Sequence, residues 1–235
     1  MLEESIDYLA DSGVQTPLVL LVLVALEAVL SADNAIALAA IAQNLKDRRL
    51  QEQALNFGLV GAYILRIALI LTATWVVKFW QFELLGGLYL LWLVFNYFTH
   101  SEPEPPENKE AHHLNFSSLW QIIPTIAVTD LAFSLDSVTT AIAVSEDTWL
   151  ILAGGTIGVI TLRFLAGLFI RWLKEYTYLE DAGFITVGFV GLRLLSKVIA
   201  PSMTIPEWLT IAVVAVLFTW GFSRKESLES SDDDL

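Results

Sequence analysis

The chain has no cysteine, three histidines and two methionines in 235 residues. Without cysteine there can be no disulfide and no thiolate metal site, although the redox compartment is left open. All three histidines, His100, His112 and His113, fall in one short stretch, HSEPEPPENKEAHHLNFSS at 100–118. Its proline and glutamate content reads as a flexible linker, and a weak soft-metal site there is the competing reading. Basic residues are scarce as well: 13 Lys and Arg stand against 26 Asp and Glu, a net charge of -13. That balance argues against nucleic acid as a partner. The N-terminal segment, Met1 to Thr16, lacks the basic flank of a signal peptide and is expected to stay in the mature protein.

Apolar residues fill the space those absences leave. They make up 55% of the chain, and mean hydropathy is strongly positive, too apolar for an ordinary soluble domain of this size. A spanning helix needs about 20 apolar residues. Seven spans are the economical reading, near 17–43, 54–77, 84–99, 119–144, 149–170, 182–199 and 205–222. The predicted fold class is an all-α membrane protein. Pro17 and Pro206 suit early-helix positions, whereas Pro124 lies farther in and is a candidate kink in the fourth span. With the N-terminus outside, the inner segments hold Lys46, Arg48, Arg49, Lys109, Arg171, Lys174, Arg224 and Lys225, and the outer ones only Lys78 and Lys197. This positive-inside bias predicts an outer N-terminus, a cytoplasmic 100–118 loop and a cytoplasmic C-terminus in the cell membrane.

Two of these runs carry the same acidic pattern. Residues 26–37 read LEAVLSADNAIA and residues 129–140 read TDLAFSLDSVTT. In gapless register Glu27 falls on Asp130, Ser31 on Ser134, Asp33 on Asp136 and Asn34 on Ser137. The likeness continues from GLVGAYILRIA (58–68) to GTIGVITLRFL (155–165), which aligns Gly58 with Gly155, Gly61 with Gly158 and Arg66 with Arg163. Gly87 and Gly183 align the third and sixth spans loosely. The predicted organisation is an outer tail (1–16), a first repeat (17–99), a cytoplasmic linker (100–118), a second repeat (119–199), a seventh span (200–222) and an acidic tail (223–235). Three spans per repeat is odd, so the second copy enters from the opposite side. Such inverted-topology repeats place a transporter's site near the midplane, at the repeat interface.

An Asp at the centre of a span costs about 2.5 to 3.5 kcal/mol on insertion scales. Four carboxylates at that depth call for something cationic. The available donors, Glu27, Asp33, Asn34, Asp130, Asp136 and Ser137, are hard oxygens apart from one amide nitrogen. They suit Mn²⁺, Ca²⁺ or Mg²⁺, whereas Zn²⁺ and Cu⁺ would want His, Cys or Met. Arg66 and Arg163 should pair with acids, leaving a charge near -2 for a divalent cation; structural ion pairing with no transported ligand is the bland alternative. On a straight helix turning about 100° per residue, Asp33 lies about 120° from Glu27. Either the helix opens near Ser31-Ala32-Asp33, and likewise at Ser134 to Asp136, or the second acid faces a different neighbour. A local break at both motifs is the favoured expectation. The four aligned glycines offer small-residue faces for close helix contact.

EAVLSADNAIALA and DLAFSLDSVTTAIAV resemble the paired signatures of the TerC family of integral membrane proteins, over about Pro17 to Gly221. The resemblance implies a seven-span transporter with inverted three-span repeats that exports Mn²⁺, with Ca²⁺ handling and thylakoid membrane assembly among its relatives' associations. It carries the family's acidic positions onto Glu27, Asp33, Asn34, Asp130 and Asp136. The expected function is secondary transport of a divalent cation by alternating access, with protons as the candidate exchange ion. The competing readings are a membrane assembly factor with a structural cation, a Ca²⁺/H⁺ exchanger, and an intramembrane aspartyl protease. The protease is disfavoured because the arginines and the duplication have no role in it.

Overall fold

The structure, a computed structural model, describes residues 15–45, 47–99, 118–145, 147–200 and 205–225, with backbone alone at 15, 16, 26, 28–30, 32, 33 and 207. Residues 1–14 of the predicted outer tail, the three histidines, Lys46, Lys109, residues 226–235 of the acidic tail and the side chain of Asp33 lie outside the described residues.

Apolar composition makes the helices, and breaks in it end them. The described residues form seven: α1 (Gln15–Gln43), α2 (Arg48–Val76), α3 (Trp80–Thr99), α4 (Leu119–Val144), α5 (Thr148–Trp172), α6 (Leu179–Ile199) and α7 (Glu207–Gly221). All lie within a few residues of the expected spans except at the start of α2, which begins six residues earlier than 54. There Asp47 supplies the N-cap, its carboxylate accepting from the Arg49 backbone N–H at 2.9 Å, a partner for one of the donors that a helix start leaves orphaned. Pro124 is accommodated inside α4. Five helices, α2 to α6, are long and apolar enough to cross a membrane, and α7 is a shorter apolar helix. Among the described residues the regular structure is all helix. An isolated antiparallel bridge from Tyr176 to Lys225 ties the α5–α6 turn to the segment after α7.

The broadest packing links the two halves. The broadest contacts join α1 to α5, α2 to α4 and α3 to α6. Narrower ones join α1 to α6 and α3 to α4. Exchanging α1 with α4, α2 with α5 and α3 with α6 leaves this list unchanged. Close approach depends on glycine at the α3–α6 crossing, where a Cβ on Gly87 would come within 3.0 Å of the Gly191 carbonyl oxygen. The second half of α1 is the centre of the core, with every residue from Ala35 to Ala42 buried. Large apolar side chains face outward, among them Leu85, Trp92 and Phe95 on α3 and Phe164 on α5. Exposed apolar surface this extensive suits lipid as the solvent.

Candidate functional site

Both acidic motifs lie in unbroken helix. Residues Gln15–Gln43 and Leu119–Val144 are helical throughout, which overturns the expected break near Ser31–Asp33 and near Ser134–Asp136. Without glycine or proline at either place, nothing offsets the cost of opening backbone hydrogen bonds in an apolar core. The geometric corollary holds on α4: Asp130 and Asp136, six residues apart, face different neighbours.

Glu27 and Asp130 meet at Arg66. Arg66, only 2% exposed, sits on α2 between α1 and α4. Its Nη1 donates to Glu27 Oε1, and its Nη2 lies 3.3 and 3.4 Å from the two oxygens of Asp130. The two aligned acids, one from each half, therefore share one guanidinium. An arginine fork bridging two carboxylates has planar geometry that a lysine could not copy. Ser134 supports Asp130: its hydroxyl donates to the Asp130 carbonyl at 2.7 Å and lies 3.4 Å from Oδ2. Ser137 lines a small cavity together with Glu27, Arg66, Leu23 and Ile70. Ser31, one turn beyond Glu27, is fully buried, and its hydroxyl has no hydrogen-bond partner among the described residues. Asn34 is buried.

Asp136 belongs to a second cluster. It is held from α6 by Arg193, whose Nη1 is 2.9 Å from Oδ2, and by Lys197, whose Nζ donates to Oδ1. Glu83 on α3 is close enough to interact electrostatically with both Lys197 and Asp136. Sequence reasoning missed Arg193 and Lys197 as partners, because both lie toward one end of their span and read as interfacial. The available signal was their i, i+4 spacing, which puts them on one helix face.

Arg163 departs from its aligned partner. Its Nε donates to Asn56 Oδ1 at 2.6 Å, and among the described residues it forms no ion pair. The reason lies in helix register. Gly158 packs directly on Glu27, where an added Cβ would overlap Cγ. Arg163, five residues on, therefore sits about 7.5 Å farther along α5 and about 140° around it, beyond reach of either acid. Asp33, the fourth carboxylate behind the expected charge near -2, has no described side chain. Among the described residues three buried carboxylates, Glu27, Asp130 and Asp136, face three cations, Arg66, Arg193 and Lys197.

Among the described residues no group of three or more His, Cys, Asp or Glu is placed to hold a metal ion. The oxygen donors nearest to such an arrangement are Glu27 and Asp130, with Ser137 beside Glu27's cavity. A cation binding both carboxylates would have to displace Arg66 from them.

Comparison with known proteins agrees with this membrane architecture. The chain matches the integral membrane protein TerC family over residues 12–228. It is 34% identical over 203 residues to the uncharacterized membrane protein YceF of Bacillus subtilis, covering 84% of this chain and 78% of that one. It is 34% identical to the uncharacterized membrane protein YkoY of the same organism, covering 75% of this chain and 59% of YkoY. It is 32% identical to the UPF0053 inner membrane protein YgdQ of Escherichia coli, covering 70% of this chain and 75% of YgdQ. No solved structure matches. The chain belongs to the TerC family of integral membrane proteins.

Proposed function

We propose that this protein is a secondary transporter that moves a divalent cation, Mn²⁺ first among the candidates, out of the cytoplasm by alternating access. The observation that carries the reading is the meeting of Glu27 and Asp130 at one buried arginine. Two groups aligned by the internal duplication converge from opposite halves of the molecule. The exchange symmetry of the packing supports seven spans arranged as an inverted 3+3 repeat plus one, with the ion between the repeats.

The chemistry follows from charge. Glu27 and Asp130 together balance a divalent cation, and their oxygens suit Mn²⁺ or Ca²⁺. Arg66 competes for the same atoms. Cation and guanidinium then alternate as partners: when the ion leaves, Arg66 takes both carboxylates, so the emptied carrier never buries two unpaired anions while it resets. In this reading Asp33, Asn34 and Ser137 complete the oxygen shell, and the unpartnered hydroxyl of Ser31 adds a further donor. Asp136 is a fixed counter-charge rather than a ligand in this conformation. Proton exchange is the coupling to test, since carboxylates can trade a metal for protons. The acidic site disfavours an oxyanion cargo, and no part of the scheme needs covalent chemistry.

The experiment is Mn²⁺ flux into proteoliposomes or inside-out vesicles, with Ca²⁺ run in parallel. Glu27→Gln and Asp130→Asn should each abolish it. Full flux in both variants would remove the site from the mechanism. A second reading, a membrane assembly factor held together by structural charge pairs, is favoured by the pairing of three acids with three cations among the described residues. It predicts folded protein with no flux of either ion in the unaltered chain.

A further inference from the structure

Arg163 is the basic residue of the duplicated pattern that the carboxylate site leaves unused. Its Nε is satisfied by Asn56. Its side chain lies over Gly167, where an added Cβ would come within 3.0 Å of Nη1. The guanidinium thus extends along α5 toward Arg171, which is eight residues or about 12 Å farther on. Both arginines line one groove between α2 and α5, with Arg48, Glu52, Phe164 and Leu168 among the other walls. Glu52 is engaged by Arg48 at 3.3 Å, so three arginines outweigh one carboxylate. Phe164, beside Arg163, is 76% exposed.

An arginine facing lipid with no counter-ion is unfavourable. The groove therefore suits an anionic group that reaches below the membrane surface and brings apolar chains to cover Phe164 and Leu168. We propose that the α2–α5 groove binds the phosphate of an anionic phospholipid, with Arg163 and Arg171 as its donors and Arg48 at the rim. Basic pockets between spanning helices hold acidic lipid head groups by this chemistry. A free phosphate would share the charge contacts and leave the apolar wall uncovered. The inference stands apart from whatever Glu27 and Asp130 carry.

Native mass spectrometry of the full chain in detergent, titrated with phosphatidylglycerol or phosphatidylcholine, tests it. Phosphatidylglycerol should bind in preference. Arg163→Gln and Arg171→Gln should each weaken it about fivefold, in line with the worth of one basic residue near an acidic lipid; Arg163→Lys should keep most of the affinity. Arg171 is exposed and its side chain makes no hydrogen bond or ion pair among the described residues, so a loss in Arg171→Gln is not an effect of unfolding. Equal binding of the two lipids, or unchanged preference in both glutamine variants, overturns the proposal. So does displacement of the lipid by inorganic phosphate at equal concentration, which would mark a soluble-anion site.

Discussion

Replacing Gly158 by alanine tests how Glu27 is held. The added Cβ would overlap Glu27 Cγ and fall 2.9 Å from Cδ. Glu27 cannot step aside freely, because its carboxylate is bonded to Arg66. Overpacking of this kind costs about 1–3 kcal/mol, and a buried ion pair broken from one side about 3–5 kcal/mol. Against these, glycine to alanine inside a helix gains only about 1 kcal/mol. The net expectation is a loss of about 2 kcal/mol or more. Gly155, one turn earlier on α5, is the control. An added Cβ there meets Ile70 at 3.5 Å and the Arg66 side chain at 3.7 Å, which is ordinary contact, so Gly155→Ala should stay within about 1 kcal/mol of the parent. Unfolding of purified protein in detergent, followed by the fluorescence of its eight tryptophans, measures both. The double variant Gly158→Ala with Glu27→Ala removes the clash, so the two changes should couple by about 0.5–3 kcal/mol. Equal stability of the two single alanine variants, or strict additivity in the double variant, would refute the contact and with it the account of why Arg163 misses the acids.

Two other outcomes follow from the charge clusters. Arg66→Ala leaves Glu27 and Asp130 buried without their shared cation; Mn²⁺ binding measured by calorimetry should persist or tighten while flux in proteoliposomes is lost, and weakened binding with normal turnover would contradict the exchange of partners. Arg193→Gln should destabilise by about 3 kcal/mol or more by stripping one of the two cations from buried Asp136; Asp136→Asn together with Arg193→Gln should recover part of that loss in the same unfolding assay, and no recovery would mean the pair is not coupled.

The helices and the residues that carry charge into them are legible in the string of residues alone. Apolar runs bounded by polar turns are local, and the α4 limits, 119–144, match the expected span to the residue. The duplication of Glu27 and Asp130 was equally visible, because gapless register is a property of the string. Which acid meets which cation depends instead on how the helices pack. Arg66 and Arg163 hold equivalent places in the repeat, yet one bridges two carboxylates and the other bonds an asparagine. That difference comes from how far one helix slides along another, set by close contacts such as Gly158 on Glu27 and Gly87 on Gly191. Spacing along a single helix carries no information about that slide, and a shift of one turn, about 5.4 Å, is longer than any salt bridge can span.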